Sequence, residues 1–149
     1  MDESGINEYM HRNHGRSPRG TLVVGEISGK RFARESFVAA KCATKIMAPM
    51  CFQGTCNTLL FDLWIEELLV PQLKPGQVVI MDNASFHKSK KTKELIEKTG
   101  CELLFLPPYS PDLNPIEKVW SNFKKKVLTY LERLHNLTDA IDKTFQEIV

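Results

Sequence analysis

Residues 77–87 read QVVIMDNASFH, and the fold turns on how that run is placed. Val78 to Met81 is continuously apolar, which suits a central strand covered on both faces. The run stops abruptly at Asp82-Asn83. An acid at the C-terminal tip of a central strand sits where open α/β sheets place their ligands. Downstream, Lys88, Lys90, Lys91 and Lys93 begin a helix expected to reach about Thr99, with Gly100 as its stop. Cys101 to Leu106 then reads as a second short buried strand.

Working upstream, TLVVGEI (21–27), ESFVAAKC (35–42) and KIMAPMCF (45–52) read as three strands between turn signals. The polar, basic segment NEYMHRNHGRSPRG (7–20) before them looks like a long hairpin connection. From Asn57 to Leu73 the apolar spacing predicts an amphipathic helix capped by Asn57 and ended by Pro71. Toward the C-terminus, Pro115 to about Leu131 carries the stripe Val119, Trp120, Phe123, Val127, Leu131. A last helix from about Asn136 repeats it with Leu137, Ile141, Phe145 and Ile148. The order predicts an α/β domain with a mixed sheet flanked by helices.

At 149 residues and 42% hydrophobic, the chain fits one domain spanning 1–149. With 20 basic and 18 acidic residues, the net charge of +2 does not by itself select nucleic acid. Its distribution is uneven: nine lysines fall between Lys88 and Lys126, against five acids. Cys42, Cys51, Cys56 and Cys101 form no Cys-x-x-Cys pair and follow no signal-like segment, so a reducing cytosol is expected. His11 and His14 lie in a polar loop without further ligands, which argues against zinc. No apolar run approaches the roughly 20 residues of a membrane span, so no membrane partner is expected.

The run LPPYSPDLNPIEKVW (106–120) leads into a helix start. Asn114 is a good N-cap, Pro115 suits the first helical position, and Glu117 falls three residues after the cap, close to a capping box. That explains Glu117 without chemistry. A different reading joins it to Asp82 and to Asp2 in the opening MDESG. If the first residues form a strand beside the Asp82 strand, the two chains lie about 4.8 Å apart and both aspartates face a single cation. Glu117 on a helix packed over that edge completes the set. Three carboxylates without cysteine or histidine describe a hard-cation site, Mg²⁺ or Mn²⁺, and two such ions suit displacement at a phosphodiester.

The sequence resembles the DDE transposases of the Tc1/mariner superfamily, in particular its bacterial insertion-sequence branch. The resemblance is carried by Asp2-Glu3-Ser4-Gly5, by Asp82-Asn83-Ala84 with His87, and by Pro107 to Glu117 followed by Trp120, with 34 residues between Asp82 and Glu117. It implies an RNase H-like fold of about five strands, with Asp2, Asp82 and Glu117 as catalytic metal ligands. It also implies DNA hydrolysis at the element ends to free a 3′ hydroxyl, then attack of that hydroxyl on target DNA. The family's use of paired subunits implies a homodimer on DNA, in the cytoplasm at the nucleoid.

Asn83 and His87 match the family's residues beside the second acid, where they position a strand or a phosphate; equally, Asn83 makes a turn and His87 precedes a helix. Lys88, Lys90 and Lys91 oppose the helix dipole in a first turn, which suggests a phosphate partner, against a plain solvated face. Arg16 and Arg19, with Arg12, are candidates for the DNA backbone or ordinary surface charge. Lys124 to Lys126 reads as solvated. Tyr109 and Trp120 are candidates for base stacking, with Trp120 better placed in the core. Complete transposases of this type carry a helix-turn-helix region, and their catalytic domain starts several residues before the first aspartate. The expectation is therefore an N-terminally truncated domain, working with a separate DNA-binding chain of the same element. The alternative is a non-catalytic remnant that binds DNA or intact transposase.

Overall fold

A computed structural model of the chain describes residues 1–7, 19, 34–108 and 110–148. The strand expected at 21–27, most of the long connection, Arg12, Arg16 and Tyr109 lie outside them. Strand β1 (Asp2–Asn7) pairs antiparallel with β2 (Arg34–Cys42), and β2 pairs antiparallel with β3 (Lys45–Gln53). Strands β4 (Val78–Met81) and β5 (Glu102–Phe105) form a separate parallel ladder. The five strands therefore make two ladders rather than one continuous sheet.

A single backbone link joins them among the described residues. The Met1 amino group donates to the Ile80 carbonyl at 2.7 Å. In a parallel arrangement that bond sets Met1 level with Met81, where β4 ends. Beyond it Asp82 folds into a tight turn, its Oδ1 accepting the Ala84 amide at 3.1 Å. The two strands overlap only at their tips, so the expected side-by-side pairing is reduced to one hydrogen bond. Both aspartates still follow directly from that point.

Strand β2 is buried on both faces and separates two cores. On one side Val38 and Ala40 join Phe61, Trp64, Ile65, Val79, Met81 and Ile96; on the other Phe37 and Ala39 join Trp120, Phe123, Val127, Ile141 and Phe145. The alternation follows from the strand period of two. The first core is closed by helix α1 (Thr58–Trp64), whose cap Asn57 accepts the Leu60 amide at 2.9 Å. This helix does not continue regularly to Leu73. It loosens into a π-helical turn at Ile65–Leu69 and a 3₁₀ turn at Val70–Gln72, where Pro71 has no amide hydrogen to extend it. Trp64 reaches across to donate to the Ala48 carbonyl at 2.7 Å.

Helix α2 (Lys90–Lys98), capped by Ser89, starts two residues later than the lysine pattern suggests, after a 3₁₀ turn at Ser85–Lys88. Gly100 ends it with φ +77, and a Cβ there would meet Pro75 at 3.2 Å, so both backbone angle and space favour glycine. Its N-terminus is held by the buried Asp62 of α1, whose Oδ1 accepts from Ser89 Oγ at 2.6 Å and Thr92 Oγ1 at 2.7 Å. Asp62→Ala orphans two hydroxyls and removes a carboxylate from the positive end of α2. The expected loss is about 3 kcal/mol in urea unfolding, from hydrogen bonds to a charged and buried acceptor.

The second core is closed by α3 (Ile116–Leu134) and α4 (Leu137–Ile148). His135 turns the chain in the left-handed region, and Asn136 caps α4 through the Asp139 amide at 3.1 Å. None of the described helices is long and apolar enough to cross a membrane.

Candidate active site

Asp2, Asp82 and Glu117 line one cleft of about 480 Å³, together with Asn83, Asn114 and a wall that includes Leu106, Pro107, Pro108 and Pro111. Each acid arrives by a different route. Asp2 is the first residue of β1 and is buried; Asp82 follows the last residue of β4 and is half-buried; Glu117 sits in the first turn of α3 and is exposed.

Glu117 takes no part in a capping box. The cap position of α3 is Pro115, and no side chain caps the helix. Asn114, expected as the cap, is buried and turned the other way, its Nδ2 donating to the Met1 carbonyl at 3.4 Å. A tertiary contact has displaced the local one, because the buried Met1 carbonyl needs a partner. The result leaves the Glu117 carboxylate facing the cleft while Asn114 ties the start of α3 to the start of β1.

The acids feel one another. Burial, with the charges of Glu3, Glu117 and Asp82, pushes the Asp2 carboxyl up to about 7. Asp82 moves the other way: contact with His87 holds its carboxyl below the usual carboxylate range, burial opposing and the Ala84 amide assisting. Among the described residues no three His, Cys, Asp or Glu side chains converge tightly enough to enclose an ion. The three acids share the cleft without closing round a point.

His87, a candidate for positioning a strand or phosphate or simply the residue before a helix, lies in the 3₁₀ turn before α2 with its ring fully enclosed, 0% exposed. Its Nε2 lies 3.1 Å from Glu3 Oε2 and its Nδ1 2.5 Å from Asp82 Oδ1. The Nδ1 approach lacks the alignment of a hydrogen bond and is an ion pair. Burial works against the imidazolium, yet Asp82 and Glu3 outweigh it and push the group up to about 9. A raised histidine pKa contributes stability that is full below about 6.5 and lost as pH rises through 9. His87 is therefore expected to contribute a loss of about 2 kcal/mol between pH 6.5 and 8.5 in urea titrations of chelated protein, read as the difference in pH dependence between wild type and His87→Gln.

The lysines expected at DNA are largely engaged on the surface. Lys91 pairs with Glu66 at 2.6 Å and Lys90 with Glu94 at 3.8 Å, while Lys93 pairs with Glu97 at 3.7 Å. Lys88 and Arg19 are exposed, and neither lines the cleft; Asn83 does. Lys124, read as solvated, is instead half-buried near the acids. Burial lowers its pKa, Glu117 and Asp2 raise it, and Arg34 lowers it. The signal was present in the chain: Lys124 follows Glu117 by two helical turns and shares its face. Trp120 is core, 1% exposed.

A family model described as DDE superfamily endonuclease matches residues 1–138. The Tcb2 transposase of Caenorhabditis briggsae is 30% identical over 97 residues, 55% of this chain and 36% of the relative. The chain thus spans about a third of that relative's length. Among solved structures, the Mos1 strand transfer complex superposes with a TM-score of 0.65 at 16% identity, over 97% of this chain and 50% of that one. The catalytic core domain of BIV integrase does so with a TM-score of 0.54 at 13% identity, over 76% and 72%. The fold shared with these cores is RNase H-like.

Proposed function

We propose that this chain, which belongs to the DDE superfamily endonuclease family, is the catalytic domain of a Tc1/mariner-type transposase that cuts DNA strands and joins them to target DNA. The observation that carries the reading is the shared cleft: Asp2, Asp82 and Glu117, far apart in sequence, all line it.

The donor set fits a hard divalent cation. It offers carboxylate oxygens only, and the Asp2 carboxyl is held high by burial and by the neighbouring acids, a cost that a cation offsets. Asp2, Asp82 and Glu117 are the residues that would hold Mg²⁺ or Mn²⁺, as one ion or a pair. When bound, such an ion supplies positive charge at a phosphoryl oxygen and acidifies a coordinated water.

In the first reaction water attacks phosphorus at an element end, the P–O bond to the 3′ oxygen breaks, and a 3′ hydroxyl is released. In the second that hydroxyl attacks a target phosphodiester and displaces another 3′ oxygen. Both are displacements of oxygen at phosphorus, so one set of acids serves both. Lys124, on the same face of α3 as Glu117, is placed to meet phosphate charge beside the acids. The apolar wall of Leu106, Pro107, Pro108 and Pro111 suits the sugar and base edges that flank a phosphate. Asn83 in the cleft, Lys88, Lys90, Lys91 and Arg19 outside it, and Arg16 beyond the described residues are candidates for the DNA backbone. A homodimer on DNA and a separate DNA-binding chain are partners consistent with this reading.

The test is nicking of supercoiled plasmid by the purified chain with Mn²⁺ or Mg²⁺. Nicks that carry 3′ hydroxyl ends and disappear with chelator are the expected result. A folded chain that binds DNA and leaves it intact under both ions favours the non-catalytic reading instead.

A further inference from the structure

We propose that His87 is a positioning residue for the acid site, holding the Asp82 carboxylate in one orientation and fastening β4 to β1 where the two ladders meet. The inference rests on the functional reading above.

The ring has little freedom. It is fully buried, packed on Phe61 with centroids 4.2 Å apart and an interplanar angle of 35°, and set against the edge of Phe86 at 4.4 Å and 67°. Two aromatic neighbours fix its plane, and so fix the directions of both ring nitrogens. One nitrogen points at Glu3 and the other at Asp82.

Those two acids lie on different strands. Glu3 follows Asp2 directly on β1, and the strand period of two sends it to the face opposite Asp2. His87 thus grips β1 from behind the first acid and grips the second acid itself. Among the described residues the Met1–Ile80 hydrogen bond is the other polar link between the start of β1 and the β4 tip, where Met1 shares an apolar cluster with Val79 and Met81. A seam with so few polar contacts makes each one count toward the separation of Asp2 and Asp82.

The contact also sorts the oxygens of Asp82. Oδ1 takes both the His87 ion pair and the Ala84 amide hydrogen bond. No described residue hydrogen-bonds Oδ2. The carboxylate is therefore held by one oxygen, and the other remains for a ligand in the cleft that Asp82 lines. Supporting contacts of this kind orient a ligating side chain without touching the ion.

A packing role and a positioning role separate by which nitrogen matters. Asparagine places its amide nitrogen close to where Nδ1 stands, toward Asp82; glutamine places its own close to Nε2, toward Glu3. Mn²⁺ binding by calorimetry and thermal unfolding are measured on the full chain for wild type, His87→Asn and His87→Gln. The expected result is that His87→Gln weakens Mn²⁺ binding about tenfold or more, while His87→Asn, whose uncharged amide can donate toward Asp82 without restoring the ion pair, weakens it clearly less. Both lose similar thermal stability. Equal weakening in the two variants, weakening that follows the loss of stability, or no weakening overturns the inference.

Glu3→Gln keeps the ring and its packing, and covers the case in which either His87 variant fails to fold. It is expected to weaken binding about threefold; unchanged affinity contradicts the proposal. A wild-type chain that binds Mn²⁺ while the variants fail these expectations overturns this inference alone. A wild-type chain that binds none overturns the functional reading and this inference with it.

Discussion

Asp82→Asn is expected to lower divalent-ion-dependent nicking of DNA about a thousandfold while the chain stays folded. The amide keeps the shape of the carboxylate and an oxygen to accept the Ala84 amide, now at 3.1 Å. It lacks the charge that a hard cation requires, and several kcal/mol of transition-state stabilisation depend on that charge. Asp82 is half-exposed, so losing its ion pair with His87 perturbs the fold far less than it perturbs the chemistry. Glu117→Gln provides a parallel case at an exposed position without a capping bond, where stability should hardly change. Initial nicking rates, with circular dichroism to confirm folding, check both. Rates within tenfold of wild type would remove these acids from the chemistry.

Trp120→Ala is expected to cost about 4 kcal/mol, a large share of the roughly 5–15 kcal/mol that holds a domain of this size together. Trp120 lies at the centre of the second core, 1% exposed, with Phe37 at 4.9 Å and Phe123 at 5.9 Å. Truncation opens a cavity beneath two aromatic rings, Phe37 and Phe123, which also pack on each other at 4.8 Å. The rings cannot all close over it, because β2 is pinned between two ladder partners. Trp120→Phe should cost much less, as it keeps most of the ring volume and removes an indole N–H that has no partner among the described residues. Urea unfolding of the three proteins measures both values. A Trp120→Ala loss below about 1 kcal/mol would mean that the site collapses freely or is not core.

Strands β2 to β5 and the four helices were legible in the chain because each carries a pattern that burial imposes. The run Val78–Met81 needed covering on both faces, and the α3 stripe of Trp120, Phe123 and Val127 needed a sheet to lie on. What local patterns missed was decided by contacts distant in sequence. Asn114 has the chemistry of a cap, yet the Met1 carbonyl, 113 residues away, claims its side chain. Lys88, Lys90 and Lys91 read as unfavourable at a helix start, but Lys88 falls in the 3₁₀ turn before α2, and Glu94 and Glu66 answer the charge of Lys90 and Lys91. The gathering of Asp2, Asp82 and Glu117 in one cleft could be anticipated from a strand tip and a helix start separated by a proline loop. The bridge from Glu3 to His87, spanning 84 residues, left no trace in any local pattern. Nor did the splitting of the five strands into two ladders, which depends on how far β1 and β4 overlap.

The central claim is that Asp2, Asp82 and Glu117 act together on one divalent-ion site, and Mn²⁺ calorimetry on the wild-type chain beside Asp82→Ala and Glu117→Ala tests it most directly. The account predicts saturable binding by the wild-type chain that both substitutions weaken about tenfold or more. A folded wild-type chain that binds no Mn²⁺, or one whose binding survives both substitutions unchanged, would contradict it.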